Sequence, residues 1–243
     1  GNDTVAEQIR RAEGSEQDLA NFRKGLNDLI VAVKDRNLDA TLRAQDRTLL
    51  QLNYVGEWMV PDFPYSLPID EELENLPQLR GRATVQVTLR RKASRRGREN
   101  PFAASTTNFT VVLDGYAAPL AAGNVLDLCV RNYYNGLGFN YTLAVPDGNS
   151  EGGVPVLLGG LYNPGFVDPI TGKLRLLPLE VLRQSTDSSK RTIAVGAARN
   201  SALFTRDPPV ASFVNAGAVG LYHPPDDANS GNAAFFAVRA PPG

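Results

Sequence analysis

Apolar positions recur at helical spacing through the first quarter of the chain and at strand spacing beyond it. Leu19, Phe22, Leu26, Leu29, Ile30 and Val33 follow one another every three or four residues, which puts one apolar stripe on a single helix face. Ser15 can cap the first turn, and Glu16 and Asp18 suit the positive end of such a helix. Asp35-Arg36-Asn37 interrupts the pattern. A second stripe follows in Leu38, Leu42, Leu49, Leu52 and Met59, broken by Gln45 and Gly56. The near-heptad spacing predicts two helices packed lengthwise with these stripes as their shared core, and the stretch from Asp3 to Arg11 reads as a short extra helix. So few helices make a marginal core, so this unit is expected to lean on something else.

The texture changes at residue 61. Pro61, Pro64, Pro68 and Pro77 break helices and favour an extended connector, which Asp70, Glu71, Glu72 and Glu74 keep solvated. The predicted organisation is a helical unit over 1–60, a Pro-rich connector over 61–80 and a β-rich domain over 81–243. In the last, Ala83, Val85, Val87 and Leu89 alternate with polar residues as in a half-buried strand, and Phe109 to Leu113 form the next strand. Ala118 to Val130 reads as a helix with Pro119 in its first turn. Short apolar runs then alternate with Gly, Pro, Asn and Asp clusters, which predicts a closed antiparallel barrel and an α + β fold overall.

Composition narrows the function. A net charge of −1 gives no global field for nucleic acid or an anionic membrane. No apolar run reaches the roughly 18 residues of a spanning helix, so direct membrane insertion is not expected. A single thiol, Cys129, cannot form an internal disulfide, and a single histidine, His223, leaves little for a zinc site or a catalytic triad. No metal or cofactor is expected. No signal or transit segment is visible at Gly1, so a targeting peptide is expected to have been removed or to lie outside this sequence.

Several landmarks of the β-rich part carry a resemblance. They are Phe109-Thr110-Val111-Val112-Leu113, the helix that opens Ala118-Pro119, the turn Tyr133-Tyr134-Asn135-Gly136, the aromatic Phe139 and the pair Phe235-Phe236. In this order they resemble the cyclophilins, the β-barrel prolyl isomerases. Further stretches are similar to the large cyclophilins of the chloroplast thylakoid lumen: Val33 to Asn37, Asp62 to Pro68, Leu79 to Ala83, Val112 to Pro119 and Gly165 to Pro169. That resemblance implies a lumenal protein with a helical bundle before a cyclophilin-like barrel. It also implies photosystem or other thylakoid membrane-complex polypeptides as partners, and a role in assembling or maintaining photosystem II.

The resemblance also shows what is missing. Prolyl isomerisation must lower a barrier of about 18–20 kcal/mol, and preorganised polar groups commonly contribute about 3–4 kcal/mol each to such a task. The family's arginine aligns with Tyr141, which cannot offer a guanidinium fork. Its Gln-Gly-Gly-Asp aligns with Leu158-Gly159-Gly160-Leu161. Tyr222 stands where a small residue borders the proline pocket, and Ala234 replaces the glutamine before Phe-Phe. Phe139, Tyr141, Leu158, Tyr222 and Phe236 would line the altered groove. The chain also ends at Gly243, before the family's later tryptophan- and histidine-bearing segment, so the barrel is expected to be incomplete at its C-terminus. The resemblance therefore implies a protein that binds and does not catalyse. Two alternatives stand beside it: a weak isomerase with its arginine supplied by Arg131 or Arg199, and a permanent subunit of a photosynthetic membrane complex.

Other features favour plain structural readings. Arg90, Arg91, Lys92, Arg95, Arg96 and Arg98 form a basic loop that could hold an acidic surface, but without neighbouring aromatics it reads as a solvated hairpin loop. Asp147 to Glu151 and Asp226 to Asn229 lack the spacing of a calcium loop and read as turns.

Overall fold

The computed structural model describes residues 5–60, 63–65, 67, 71–90, 106–145, 154–162, 164–186, 191–196, 207–210, 213, 216–224 and 226–239. The chain divides into two compact units, Gly1–Pro64 and Tyr65–Gly243. This division falls within the predicted connector.

The first unit is a helical hairpin of α1 (Val5–Lys34) and α2 (Leu38–Trp58). The break lies where the pattern puts it. Arg36 turns the chain with φ 53, and Asn37 caps α2 by accepting the Ala40 amide on its side chain at 3.0 Å. Ser15 is no start signal, because α1 runs unbroken through it and absorbs the expected extra helix. The shared core also differs from expectation. Gly25 packs on Thr48, Gly14 lies under the Trp58 ring, and Ala32 is buried, so the helices meet along small residues. Much of both aliphatic stripes stays exposed. Trp58 Nε1 ties the open end by donating to Asp18 Oδ2 at 2.8 Å.

In the second unit a single helical turn, α3 (Glu71–Glu74), precedes a hairpin of β1 (Arg82–Arg90) and β2 (Thr106–Asp114). Gly115 follows directly, and a Cβ there would strike the backbone of Leu79 and Gly81, so only glycine fits this crossing. Helix α4 (Pro119–Val130) is the most buried element: Leu120 and Leu128 are fully enclosed. Strands β3 (Phe139–Val145), β4 (Val154–Gly159), β7 (Val219–Leu221) and β8 (Phe235–Val238) form a four-stranded sheet in the order β3-β4-β8-β7. Strands β5 (Glu180–Gln184) and β6 (Arg191–Val195) pair separately. All these pairings are antiparallel, which gives the α + β class. The expected closed barrel is not formed by the described strands, which make three sheets of two, four and two strands. Arg90 ends β1, whereas Arg91, Lys92, Arg95, Arg96 and Arg98 lie outside the described residues, as do Arg199 and Asp147 to Glu151.

Candidate functional site

The four-stranded sheet carries four of the five groove residues in two rows of opposite parity, and Tyr222 follows directly after β7. Tyr141, Leu158, Phe236 and Gly220 are aligned across β3, β4, β8 and β7, while Phe139, Gly159, Phe235 and Leu221 form the neighbouring row. Successive residues of a strand point to opposite faces, so Phe235 and Phe236 serve different sides of the sheet. A register shift between Phe139 and Tyr141 accommodates Asn140 as a bulge.

On one side Phe236 packs edge-on against Phe213, with ring centroids 5.0 Å apart. Gly220 makes room for it: a Cβ there would approach the Phe236 ring to 2.5 Å. Leu158 is only 3% exposed and packs as core, together with buried Val156 and Val238. Tyr222 is fixed by its backbone amide, which donates to the Ala234 carbonyl at 2.8 Å.

On the other side Phe139 stacks edge-on against Phe235, and Phe235 against Tyr134. The series continues through Tyr133 to Phe166. Gly159 is confined between the Phe139 and Phe235 rings, both about 3 Å from where its Cβ would be. Tyr134 donates its hydroxyl to the Ala233 carbonyl at 2.9 Å, and burial pushes its pKa above the usual tyrosine value. Phe139 and Phe236, read together as groove lining, thus belong to separate aromatic clusters.

Polar chemistry concentrates beside α4. Arg175 is 7% exposed. It donates to Asn124 Oδ1 at 3.2 Å, Asp127 Oδ2 at 2.7 Å and Asp168 Oδ2 at 2.8 Å, and its guanidinium lies 4.5 Å from the Phe166 ring centroid. Arg131 is held on Asp127 at 2.8 Å. Burial would raise the Asp127 pKa, but hydrogen bonds from Arg175 and Arg131 outweigh it and hold the carboxyl below its usual value. For Asp168 the hydrogen bond from Arg175 is the main cause of a lowered value.

Asn232 closes this region. Its Oδ1 accepts the Phe166 amide at 2.6 Å, its Nδ2 donates to the Arg175 carbonyl at 2.6 Å, and its own carbonyl accepts Asn124 Nδ2 at 2.6 Å. None of Arg175, Asn124 or Asn232 stands out in the sequence as a site, because their side-chain hydrogen bonds reach 48 to 108 residues away for all but the Asp168 contact. Among the described residues no three His, Cys, Asp or Glu side chains converge as a metal centre requires. Asp226 to Asn229 form a turn in which Asp227 Oδ1 accepts the Asn229 amide.

No protein-family model matches the chain. Curated proteins do. It is 34% identical over 181 residues to the chloroplastic peptidyl-prolyl cis-trans isomerase CYP38 of Arabidopsis thaliana, covering 72% of this chain and 36% of that protein. A protein of Synechocystis, provisionally named a thylakoid lumen peptidyl-prolyl cis-trans isomerase, is 30% identical over 233 residues, 93% of this chain and 54% of its own length. Chloroplastic CYP37 of Arabidopsis thaliana is 28% identical over 182 residues, 67% of this chain and 37% of that protein. The chain is a chloroplast cyclophilin-like protein, homologous to these cyclophilin-type prolyl isomerases, and it belongs to the thylakoid lumen. It spans about a third to a half of the length of these relatives. No described helix is long and apolar enough to cross a membrane.

Proposed function

We propose that this chain is a non-catalytic cyclophilin-like scaffold of the thylakoid lumen that acts by protein binding in the assembly or maintenance of photosystem II. Its three sheets are read as parts of a cyclophilin-like barrel. One observation carries the reading: the sheet row in which the family's polar grip is expected holds Tyr141, core-buried Leu158 and Phe236 in register. A guanidinium is what stabilises a twisted amide, and neither a phenol nor an aliphatic side chain can replace it.

The second reading, a weak isomerase, needs an arginine from elsewhere. Arg131 is a poor donor for that purpose, because both Asp127 oxygens accept from its Nε, at 3.0 and 2.8 Å. Photosystem II is the partner class implied by resemblance, and isolation from the native membrane tests it. Affinity purification from solubilised thylakoids should recover photosystem II polypeptides at sub-stoichiometric levels that rise during assembly. Recovery of the chain alone would count against the proposal, and a fixed stoichiometry with one complex would make it a permanent subunit instead.

A further inference from the structure

The α1–α2 hairpin is closed by small residues and leaves its large ones outside. Leu19, Leu26, Ile30 and Val33 on α1 are exposed, as are Leu38, Leu42, Leu49 and Leu52 on α2, with Val33 at 55% and Leu38 at 71%. At about 100° per residue, the α1 set lies roughly a third of a turn and the α2 set roughly a quarter-turn from the seam that Gly25, Thr48 and Ala32 define. A cleft formed by both helices, lined by Asp28, Asp35, Arg43 and Arg47, takes one side of the pair. The aliphatic sets share the other. Leu19, Leu26 and Val33 recur every seven residues, as do Leu42 and Leu49, and Leu38 and Leu52 fall on the same seam. Such a repeat fits helices laid lengthwise. Eight aliphatic residues of this exposure offer an area of the order that one partner gives a standard interface, about 800 Å².

We propose that this face is covered by the same face of a second copy of the chain, forming a four-helix bundle. Charge selects this occupant and its orientation. The outer edge of α1 carries exposed Arg23 and Lys34, and that of α2 carries exposed Asp39 and Asp46. The contacts of Gly25 with Thr48 and Gly14 with Trp58 set Lys34 level with Asp39, and Arg23 about one turn from Asp46. A two-fold axis parallel to the helices lays α1 of one copy along α2 of the other. Lys34 and Arg23 then face Asp39 and Asp46 of the second copy, and the like pair Glu16 and Glu57 meets at the open end. A two-fold axis across the helices would set the acidic edge of α2 against itself.

Sedimentation equilibrium of the whole 243-residue chain tests this, with far-UV circular dichroism as a check on folding. The wild type should show a concentration-dependent dimer, and Leu26→Glu/Leu49→Glu should be monomeric with unchanged helicity. Should that variant fail to fold, the charges decide. Lys34→Glu should weaken the dimer roughly tenfold, and Lys34→Glu/Asp39→Lys should restore it. A wild type that stays monomeric overturns the proposal, since the face is then covered by the rest of the chain or by another protein. A dimer indifferent to Lys34→Glu and to the restoring pair overturns it as well.

Discussion

Glu180 of β5 caps α4 from sixty residues away: the Leu120 amide donates to both of its carboxylate oxygens, at 3.0 and 3.1 Å. The Ala121 amide adds a third bond at 2.9 Å. The helix has no cap of its own. Ala118 at its N-cap offers no side-chain acceptor, and Pro119 removes one donor from the first turn. The carboxylate joins the β5–β6 pair to the most buried helix of the fold.

That cap is pH-sensitive. Burial raises the Glu180 pKa from 4.5 to about 7, against the pull of the Ala121 and Leu120 amides. With the folded value above the unfolded one, the folded state binds the proton more tightly. This contribution is full below about pH 4.5 and is lost as pH rises through 7, at most about 3 kcal/mol in all. Glu180→Gln keeps an acceptor and removes the titration, so urea melts of the variant should lack this slope between pH 4.5 and 7.5. Glu180→Ala, which leaves the amides unpaired, should cost about 1–2 kcal/mol at pH 5.

Arg175 holds Asp127 and Asp168 together from a buried position. Removing one member of such a group strands the others, so Arg175→Met should destabilise by about 3–5 kcal/mol. Arg175→Lys should fall between, since an ammonium lacks the planar fork. The lowered pKa values of Asp127 and Asp168 contribute stability above the ordinary carboxylate range, which is lost as pH falls through the folded values. Arg175→Met removes the cause of that lowering, so its stability, followed by near-UV circular dichroism in urea, should fall less steeply on acidification than that of the wild type.

Asn232→Ala removes the acceptor of the Phe166 amide and the donor to the Arg175 carbonyl. Leaving such groups unpaired costs about 1–3 kcal/mol each, so a loss of about 3 kcal/mol is expected in a thermal melt. Asn232→Asp keeps the acceptor but loses the donor, and should recover only part of it.

Trp58 is the only tryptophan, and it sits in the helical hairpin, so its fluorescence reports that unit alone. A Cβ at Gly25 would lie 2.8 Å from Thr48 Oγ1. Gly25→Val should force α1 and α2 apart and lower the stability read by Trp58 by about 1–3 kcal/mol. Adding Thr48→Ala should return some of it.

Local signals located most elements. The interruption at Asp35-Arg36-Asn37, the alternation in β1 and Pro119 at the start of α4 each depend on neighbours in sequence, and all were legible. The seam of the hairpin was not. Glycine and threonine give almost no apolar signal, so the leucine stripes drew the reading although Gly25 and Thr48 make the contact. The same limit hid Glu180, Arg175 and Asn232, whose roles depend on chain segments brought together only by folding. Of the candidate groove, the replacements at Tyr141 and Ala234 were readable as residue types. The separation of Phe139 from Phe236 depends on strand parity and a bulge that no local pattern marks.

The proposed function rests on Tyr141 standing where the family's arginine is expected, and exchange NMR of an Ala-Pro peptide tests the loss of catalysis without a coupled protease. With the purified chain in catalytic amounts, the cis–trans exchange time should stay at its uncatalysed value of tens to hundreds of seconds. Exchange accelerated to the rate given by an active cyclophilin would show the chain to be an isomerase.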